Sequence, residues 1–482
     1  MKKLIYILVF LLILSCSSDN DEIETNLIVE KLVGDKNEDK EFEQFVETDI
    51  GGADDQLETN LAEKPDIGTG ENPVPDPEND LNDPQEGMSN PAEDLKEEDI
   101  QVQEYDDDPM DESSNQIEEL TFTNTEILNT DVNCEEFDTH VYCISKTAPV
   151  AKKYPKWGIL TGYSPEVFCS TDLPLLVCTE TTKSLLAAMM EWGSYGNAEY
   201  WILGSDKASA KNLTDLNCQR RKERYQMRLF DCEWKHGPNG DHGFESYRLI
   251  GEESIRTNQP RGSAGLNGNR GWGFHYFTSS IPIGLTDYFP YIEPWQEQKL
   301  AFHEYFHAFQ HSFIETEDYD KRDKLLGPVW FNEGGAEYMA HIGFKKSFDE
   351  GILSTPIKED TTNPYDFKDA MRNKLEYAKI SKREVCPNLD IGDMSYQNDC
   401  NGASYDLGTW AHILLESKTA TPNILVDKFY PILEENGWEE AFNKTYGISP
   451  EEFYVEFNEF INMSTNDQIT MLDKIISNYN LK

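Results

Sequence analysis

The sequence predicts an α+β protein in which a half of mixed strands and helices is followed by a helical half. Two observations support this prediction. Short apolar runs typical of strands fall between residues 199 and 277. From residue 294 onward, apolar residues recur mostly at helical spacing up to the end of the chain. This order, with strands early and helices late, is that of an α+β arrangement.

The elements of the mixed half follow from local patterns. Short apolar or alternating runs indicate strands, whereas apolar residues three or four positions apart indicate helices. In chain order these patterns predict a helix over residues 183–192, a strand over 199–203, a charged helix over 210–227, and strands over 247–250 and 273–277.

The first helix of the helical half begins at Pro294, because proline is favoured in the first turn of a helix. Over residues 295–313 two stripes run along this helix about 100° apart. One consists of Phe302, Phe306, Phe309 and Phe313, and the other of His303, His307 and His311. The two stripes predict a buried helix that presents one edge to a cleft. Later helices are expected over residues 424–430 and 453–461.

The charge of the chain excludes two classes of function. Its 482 residues include 90 Asp and Glu against 42 Lys and Arg, for a formal net charge of -48. Residues 17–133 alone contain 38 acids and 5 bases. A nucleic-acid-binding protein needs a basic face to replace counterions, and no segment offers one. For the same reason, a basic patch that adheres to anionic lipid is not expected.

The N-terminal residues have the pattern of a secretory signal. Lys2 and Lys3 precede an apolar run over residues 4–14, too short to span a bilayer of about 30 Å. Residues 12–16 resemble a bacterial lipoprotein box, which implies that Cys16 becomes a lipidated N-terminus. The alternative is an ordinary signal peptide with an incidental cysteine. Acidic residues after Cys16 resemble an export tag, so we expect a lipid-anchored protein of a diderm cell envelope, in the outer membrane and exposed at the surface.

Composition divides the rest of the chain. Residues 17–130 are rich in Asp, Glu, Asn, Pro and Gly and have few aromatic residues, which predicts a disordered, self-repelling tether. Residues 131–482 predict a folded body, with the mixed half reaching to about residue 294 and the helical half covering 295–482. The tether is expected to hold this body away from a lipid surface, the only contact with a membrane being the lipid anchor.

Eight cysteines follow Cys16, an even number that favours disulfides in an exported protein. They form four sequence-local couples: Cys134 and Cys143, Cys169 and Cys178, Cys218 and Cys232, and Cys386 and Cys400. Pairing within each couple is the simplest arrangement, although eight cysteines permit many other connectivities. No C-x-x-C occurs, so a thiolate zinc site is not expected.

Residues 303–307 form the motif H-E-x-x-H. On a helix, His303 and His307 project from one face and can bind one zinc ion. Glu304 lies beside them and is the candidate general base, placed to take a proton from a metal-bound water. Catalytic zinc usually has three protein ligands and keeps its fourth position for water. A third ligand is therefore expected elsewhere in the chain.

A family resemblance suggests this third ligand. Residues 330–338 read W-F-N-E-G-G-A-E-Y, which resembles the N-E-G-x-A signature of the gluzincin metallopeptidases, as in the aminopeptidase N group. The resemblance implies that Glu333 is the third zinc ligand; the alternative is an acid at the start of a surface helix. Glu337 shares a helical face with Glu333. It is interpreted either as a carboxylate that orients a zinc-bound imidazole or as a solvated charge.

A second segment carries the same resemblance. Residues 404–410 read S-Y-D-L-G-T-W and resemble the Y-x-x-G segment of aminopeptidase N-like gluzincins. The resemblance implies that Tyr405 stabilises the oxyanion formed during catalysis. The alternative is an aromatic side chain packed in a core.

The resemblance covers about residues 185–420 and implies a zincin-like fold, with the zinc site in the cleft between the sheet half and the helical half. No G-A-M-E-N stretch, which recognises a free amino terminus in the aminopeptidase N group, precedes the zinc helix. An endopeptidase is therefore favoured over an aminopeptidase. In zincins the strand that corresponds to residues 271–278 is an exposed edge that pairs with extended substrate.

The sequence thus predicts a zinc-dependent peptidase whose partners are peptide or protein substrates. Two alternatives stay open: a surface lipoprotein that binds peptide or protein without cutting it, and a zinc amidase that acts on cell-wall peptide. The intact motif residues argue against the first. His311, His341 and His412 are interpreted as structural histidines or as histidines that support the site.

Overall fold

A computed structural model describes residues 129–151, 157–225, 229–237, 243–269, 274–316, 318–358, 364–397 and 400–482. The predicted signal peptide with Cys16, and the predicted tether up to residue 128, lie outside the described residues. The described part is α+β and mostly helical, which confirms the predicted fold class at that level. Within it, no helix combines the length and the apolar character needed to cross a bilayer.

A six-stranded mixed sheet forms the first half of the described chain. Its strands are β1 (Val132–Glu136), β2 (Val141–Ser145), β3 (Glu166–Cys169), β4 (Ala198–Ile202), β5 (Ala264–Asn269) and β6 (Phe274–Ser279). They lie in the order β1-β2-β3-β4-β6-β5. The pairs β3/β4 and β4/β6 are parallel, and the other three are antiparallel. β5 is therefore one edge of the sheet.

Helices cover both faces of this sheet. Those of the first half are α1 (Leu175–Trp192), α2 (Lys207–Tyr225), α3 (Leu229–His236) and α4 (Phe244–Thr257). Strand β4 contributes to the packing on both faces of the sheet, because alternate side chains of a strand point to opposite faces. Tyr200 and Ile202 join the large core that includes α1, whereas Trp201 packs against Phe244 of α4 on the other face.

The second half consists of packed helices. They are α5 (Pro294–Ser312), α6 (Tyr319–Leu326), α7 (Val329–Asp349), α8 (Phe367–Glu384), α9 (Asn401–Thr419), α10 (Tyr430–Asn436), α11 (Trp438–Tyr446), α12 (Pro450–Ile461), α13 (Thr465–Ile469) and α14 (Leu472–Tyr479). α5 packs against α1, β5 and α7, and α7 in turn packs against α9. The three helices α5, α7 and α9 thus form a continuous stack beside the sheet.

Helix α5 is buried along nearly its whole length. It begins with Pro294 in its first turn, as the sequence predicts. Phe302 and Phe306 contact the ring of Trp192 at centroid distances of 5.9 and 4.9 Å. Tyr305 donates its hydroxyl hydrogen to the carbonyl oxygen of Gly193 at 2.5 Å. The aromatic stripe predicted from the sequence therefore packs α5 against α1, and Tyr305 joins α5 to the turn that follows α1.

Two glycines form the crossing of α7 and α9. A Cβ atom on Gly334 would overlap the Cα of Gly408, and a Cβ on Gly408 would overlap the carbonyl oxygen of Trp330. Only residues without a side chain permit this separation of the two backbones. The crossing fixes the distance between the helices that carry Glu333 and Tyr405.

The structure confirms the sequence-local pairing of the cysteines. The disulfides join Cys134 to Cys143, Cys169 to Cys178, Cys218 to Cys232, and Cys386 to Cys400. In the same order they link β1 to β2, β3 to α1, α2 to α3, and the two ends of the segment between α8 and α9. Three of them therefore stabilise the mixed half, and the fourth closes a loop of the helical half.

Two predictions about strands are wrong, and some strands were not predicted. Residues 247–250 belong to α4, in which Tyr247 is buried and Leu249 is half exposed, so their short apolar run is one turn of an amphipathic helix. Strands β1, β2, β3 and β5 were not predicted; the sequence of β5, A-G-L-N-G-N, is rich in residues that weaken strands. β6 is not an exposed edge, since it pairs with β4 on one side and with β5 on the other.

Candidate metal centre

The structure brings the three predicted metal ligands together between α5 and α7. The Nε2 atom of His307 lies 3.1 Å from Nε2 of His303 and 3.0 Å from Oε2 of Glu333. The Nε2 atom of His303 lies 3.4 Å from the same carboxylate oxygen. The three residues are at most 3% exposed. Glu333 is therefore not an acid on a surface helix but a buried carboxylate that faces both imidazoles.

The hydrogen bonds of Gln310 fix the tautomer of His307. The side-chain nitrogen of Gln310 donates to the carbonyl oxygen of Asn332 at 3.0 Å and to the Tyr430 hydroxyl at 2.8 Å. The amide oxygen of Gln310 therefore faces Nδ1 of His307, at 2.6 Å. An amide oxygen can only accept, so Nδ1 of His307 carries the hydrogen. In the neutral imidazole the lone pair is then on Nε2, which points toward Glu333.

The same reasoning applies to His303. Its Nδ1 lies 3.0 Å from Oε2 of Glu337, and a carboxylate can only accept. Nδ1 of His303 therefore donates, and in the neutral ring the lone pair is on Nε2. Two imidazole lone pairs and one carboxylate oxygen thus converge on one point. Like electron pairs at this separation repel unless a cation or a proton lies between them.

Two imidazole nitrogens and one carboxylate oxygen form a donor set that proteins use to bind divalent cations, zinc among them. Zinc bonds of about 2.0–2.2 Å in tetrahedral geometry place ligand atoms about 3.3–3.6 Å apart. The separation of 3.4 Å lies in this range, and those of 3.0 and 3.1 Å are slightly shorter. Burial acts to raise the pKa of Glu333, but His307 and then His303 outweigh it and lower the pKa. The ionised carboxylate is the state in which Glu333 would bind a cation.

Glu337 is the centre of a buried charge network behind His303. The Nζ atom of Lys299 donates to both carboxylate oxygens of Glu337 at 2.8 Å, and the Nζ atom of Lys374 lies 2.6 Å from Oε1 of Glu337. His341 donates from Nε2 to Oε1 at 3.0 Å. Burial acts to raise the pKa of Glu337, but the two lysines lower it far below its usual range. At 2% exposure, Glu337 is not the solvated charge that was the alternative interpretation.

Glu304, the predicted general base, is 2% exposed and lies on α5 next to the first imidazole. Burial and, after it, the negative charge of Glu304 raise the pKa of Tyr200 on β4 well above its usual value. Glu304 thus acts electrostatically on a side chain of the sheet, whereas the two histidines of the motif face Glu333 of α7.

Two tyrosines lie at the site. The ring of Tyr405, which is 5% exposed, stacks on the ring of His303 at a centroid distance of 6.0 Å and an interplanar angle of 19°. Tyr396 donates its hydroxyl hydrogen to Oε1 of Glu333. Sequence analysis identified Tyr405 but missed Tyr396, because Tyr396 lies in an irregular segment that no motif marks.

The other histidines of the helical half are buried and neutral. Burial lowers the pKa of His341 to about 3 and that of His412 to about 4. His412 lies 2.9 Å from the carbonyl oxygen of Phe331, and His341 contacts Glu337 as described above. Burial also lowers the pKa of His311 well below its usual value. His341 thus supports the site through Glu337, and His412 supports the start of α7.

Comparisons with models of protein families, with characterised proteins and with solved structures find no significant match to this chain.

Proposed function

We propose that this chain is a zinc-dependent peptidase of the gluzincin type that cuts within peptide chains. One observation carries the proposal: two imidazoles with hydrogen-bonded Nδ1 atoms direct Nε2 toward one carboxylate oxygen, at separations of 3.0–3.4 Å. Among the described residues, His303, His307 and Glu333 each offer one ligand atom, and these atoms all lie within 4.8 Å of one another. The H-E-x-x-H and N-E-G-x-A motifs support the assignment.

The proposed chemistry divides between the cation and the protein. Held by His303, His307 and Glu333, zinc supplies a Lewis acid that polarises a carbonyl group and lowers the pKa of water. Glu304 accepts the proton of the attacking water and returns it to the amine that leaves. The Tyr405 hydroxyl donates to the carbonyl oxygen as negative charge develops there, a contribution of about 3 kcal/mol for such donors.

The sheet edge supports an extended substrate. β5 is the last strand of the sheet, and within the described residues its outer edge pairs with no other strand. α5, which carries both histidines and Glu304, packs against β5. A peptide that added to this edge would gain backbone hydrogen bonds and would lie on the strand against which the ligand-bearing helix packs. This arrangement favours an endopeptidase and a zincin-like fold.

We propose further that the enzyme is exported and lipid-anchored at Cys16. The lysines and apolar run at the start of the sequence support export. Four disulfides support an oxidising compartment, because such bonds rarely persist in a reducing cytosol.

The test combines metal analysis with cleavage. The purified full chain should contain about one zinc ion per molecule, and it should cleave a fluorogenic peptide library until a chelator removes the metal. A chain that binds zinc and peptide without cleaving would be a binding protein. A chain that cleaves only cell-wall peptide would be an amidase. A chain without stoichiometric metal would contradict the proposed site.

A further inference from the structure

Tyr396 contacts the carboxylate oxygen of the candidate ligand Glu333 that does not face the histidines. The two carboxylate oxygens of Glu333 have different surroundings: Oε2 faces His303 and His307, whereas Oε1 accepts from the hydroxyl of Tyr396. The side-chain nitrogen of Asn332 is 3.5 Å from Oε1, too far for a strong hydrogen bond. Tyr396 is therefore the principal donor to this oxygen among the contacts of the described residues.

The segment that carries Tyr396 is fixed at several points. The disulfide between Cys386 and Cys400 joins its ends. Ile391 and Met394 are each 2% exposed and belong to the large core. Tyr396 itself is 38% exposed, whereas Glu333 is 1% exposed. The Tyr396 phenol thus lies at the boundary between solvent and the buried carboxylate of Glu333.

A carboxylate can bind a cation through one oxygen or through both. A hydrogen bond to one oxygen reduces its charge and occupies its lone pairs, which favours binding through the other oxygen alone. Catalytic zinc usually has three protein ligands and one water, and a second carboxylate oxygen would raise the coordination number and crowd the position of the water. The phenol that donates to Oε1 therefore affects how many coordination positions of the metal ion the protein occupies.

We propose that Tyr396 is a positioning residue that restricts Glu333 to binding the metal through Oε2 alone and so keeps the position for water and substrate open. This inference rests on the proposed metal centre and goes beyond it, since neither motif includes Tyr396. The residue acts through Glu333 and not on the substrate. Its removal should change the coordination of the metal even where the number of bound ions stays the same.

The test uses the full chain loaded with Co²⁺, whose visible absorption is intense in four-coordinate sites and weakens as the coordination number rises. Tyr396→Phe should still bind one equivalent, but its absorption should weaken, and its affinity for Zn²⁺ should change by about tenfold or more. Tyr288→Phe is the matched control, because Tyr288 is similarly exposed at 42% and lies outside the site. Its spectrum should equal that of the unmodified protein.

A second pair of variants tests the segment. The Cys386–Cys400 and Cys218–Cys232 disulfides have the same sequence separation of 14 residues. Their removal as paired Cys→Ser changes should cost similar stability. Only the variant without Cys386 and Cys400 should show the weakened Co²⁺ absorption, because only this disulfide holds Tyr396. An equal spectral change in both variants would contradict a specific role for this segment.

The outcomes separate this inference from the proposed function. If the unmodified protein binds no Co²⁺ or Zn²⁺, the metal centre itself is wrong, and the role of Tyr396 with it. If it binds one equivalent and Tyr396→Phe has the same spectrum and the same zinc affinity, the metal centre stands and the role of Tyr396 is overturned.

Discussion

Gly334 of α7 and Gly408 of α9 lie in direct backbone contact, with no room for a methyl group on either. Gly334 directly follows Glu333 in the N-E-G-x-A segment, and Gly408 is the glycine of the Y-x-x-G segment. The two segments that carry the family resemblance therefore meet at their glycines. This contact gives both glycines a packing role that no motif alone explains.

The first prediction concerns this contact. Gly334→Ala and Gly408→Ala should each destabilise the protein by about 1–3 kcal/mol, because the added methyl group pushes two packed helices apart. Both should also weaken zinc binding, since Glu333 and Tyr405 move with the helices. Chemical denaturation and zinc titration measure the two effects. Gly402→Ala is the control: a Cβ there meets nothing within 4 Å, and alanine favours a helix, so stability should be equal or higher.

The second prediction concerns the general base. Glu304→Gln should retain about one zinc ion per molecule but lose about 10²–10⁴-fold in peptide hydrolysis, because an amide cannot accept the proton. Metal analysis and kcat on a cleaved peptide measure this directly. Glu459→Gln, a change at an exposed position of α12, should leave both unchanged. Full activity in Glu304→Gln would show that another group takes the proton.

The third prediction concerns the network behind His303. Glu337→Gln leaves Lys299 and Lys374 without the carboxylate that they share, and breaking a buried ion pair in this way costs about 3–5 kcal/mol. Zinc affinity should fall by about 10–100-fold, because Glu337 also orients His303. Denaturant unfolding of the chelator-treated protein separates the loss of stability from the loss of metal.

Two further variants complete this test. Adding Lys299→Met to Glu337→Gln should recover part of the stability, since one uncompensated charge is removed. Asp473→Asn, which breaks the exposed pair with Lys368, should cost less than about 1 kcal/mol. Equal stability of Glu337→Gln and the unmodified protein would mean that the network contributes nothing.

The fourth prediction concerns pH. Burial lowers the pKa of four histidines below its usual value of 6.5: to about 3 for His236, His275 and His341, and to about 4 for His412. In the unfolded chain these groups bind protons below pH 6.5, whereas in the folded chain they stay neutral. Stability is therefore fully present above pH 6.5 and falls as the pH falls toward the folded values, by about 1.4 kcal/mol per pH unit for each group.

The urea midpoint of the metal-free protein between pH 7 and 5 measures this effect. Chelation is needed because protonation of His303 and His307 would also release a metal. His412→Gln should make stability depend less steeply on pH, because one of the four contributing histidines is removed. A midpoint that did not change between pH 7 and 5 would contradict the assignment of these side chains as neutral.

Sequence analysis identified the histidine pair by its local spacing, whereas Glu333 and Tyr405 were identified by resemblance to a known family. His303 and His307 are four residues apart on one helix, and so are Glu333 and Glu337, so each pair shares a face wherever the helix lies. The disulfide pairing could be predicted for a similar reason, because all four disulfides join cysteines close in sequence. Which oxygen or nitrogen each group directs to its neighbour did not follow from the sequence.

The parts that were missed depend on long-range packing. Lys374 reaches Glu337 from α8, and Tyr396 reaches Glu333 from an irregular segment, so no periodic pattern marks either. Gln310 lies on the predicted zinc helix, but its role depends on Asn332 and Tyr430 from other elements. Strand β5 was missed because its glycines and asparagines resemble a loop, and only pairing with β6 makes it a strand.

Helix α5 has almost no solvent-facing side, so its two imidazoles extend from the dense interior of the protein. Under the proposed function, residues outside α5 must therefore supply most of the variation in substrate preference, because nearly every change on this helix alters the fold as well. Libraries that leave α5 intact, together with Met394 in the core and Tyr396 at Glu333, should give the lowest rate of misfolding.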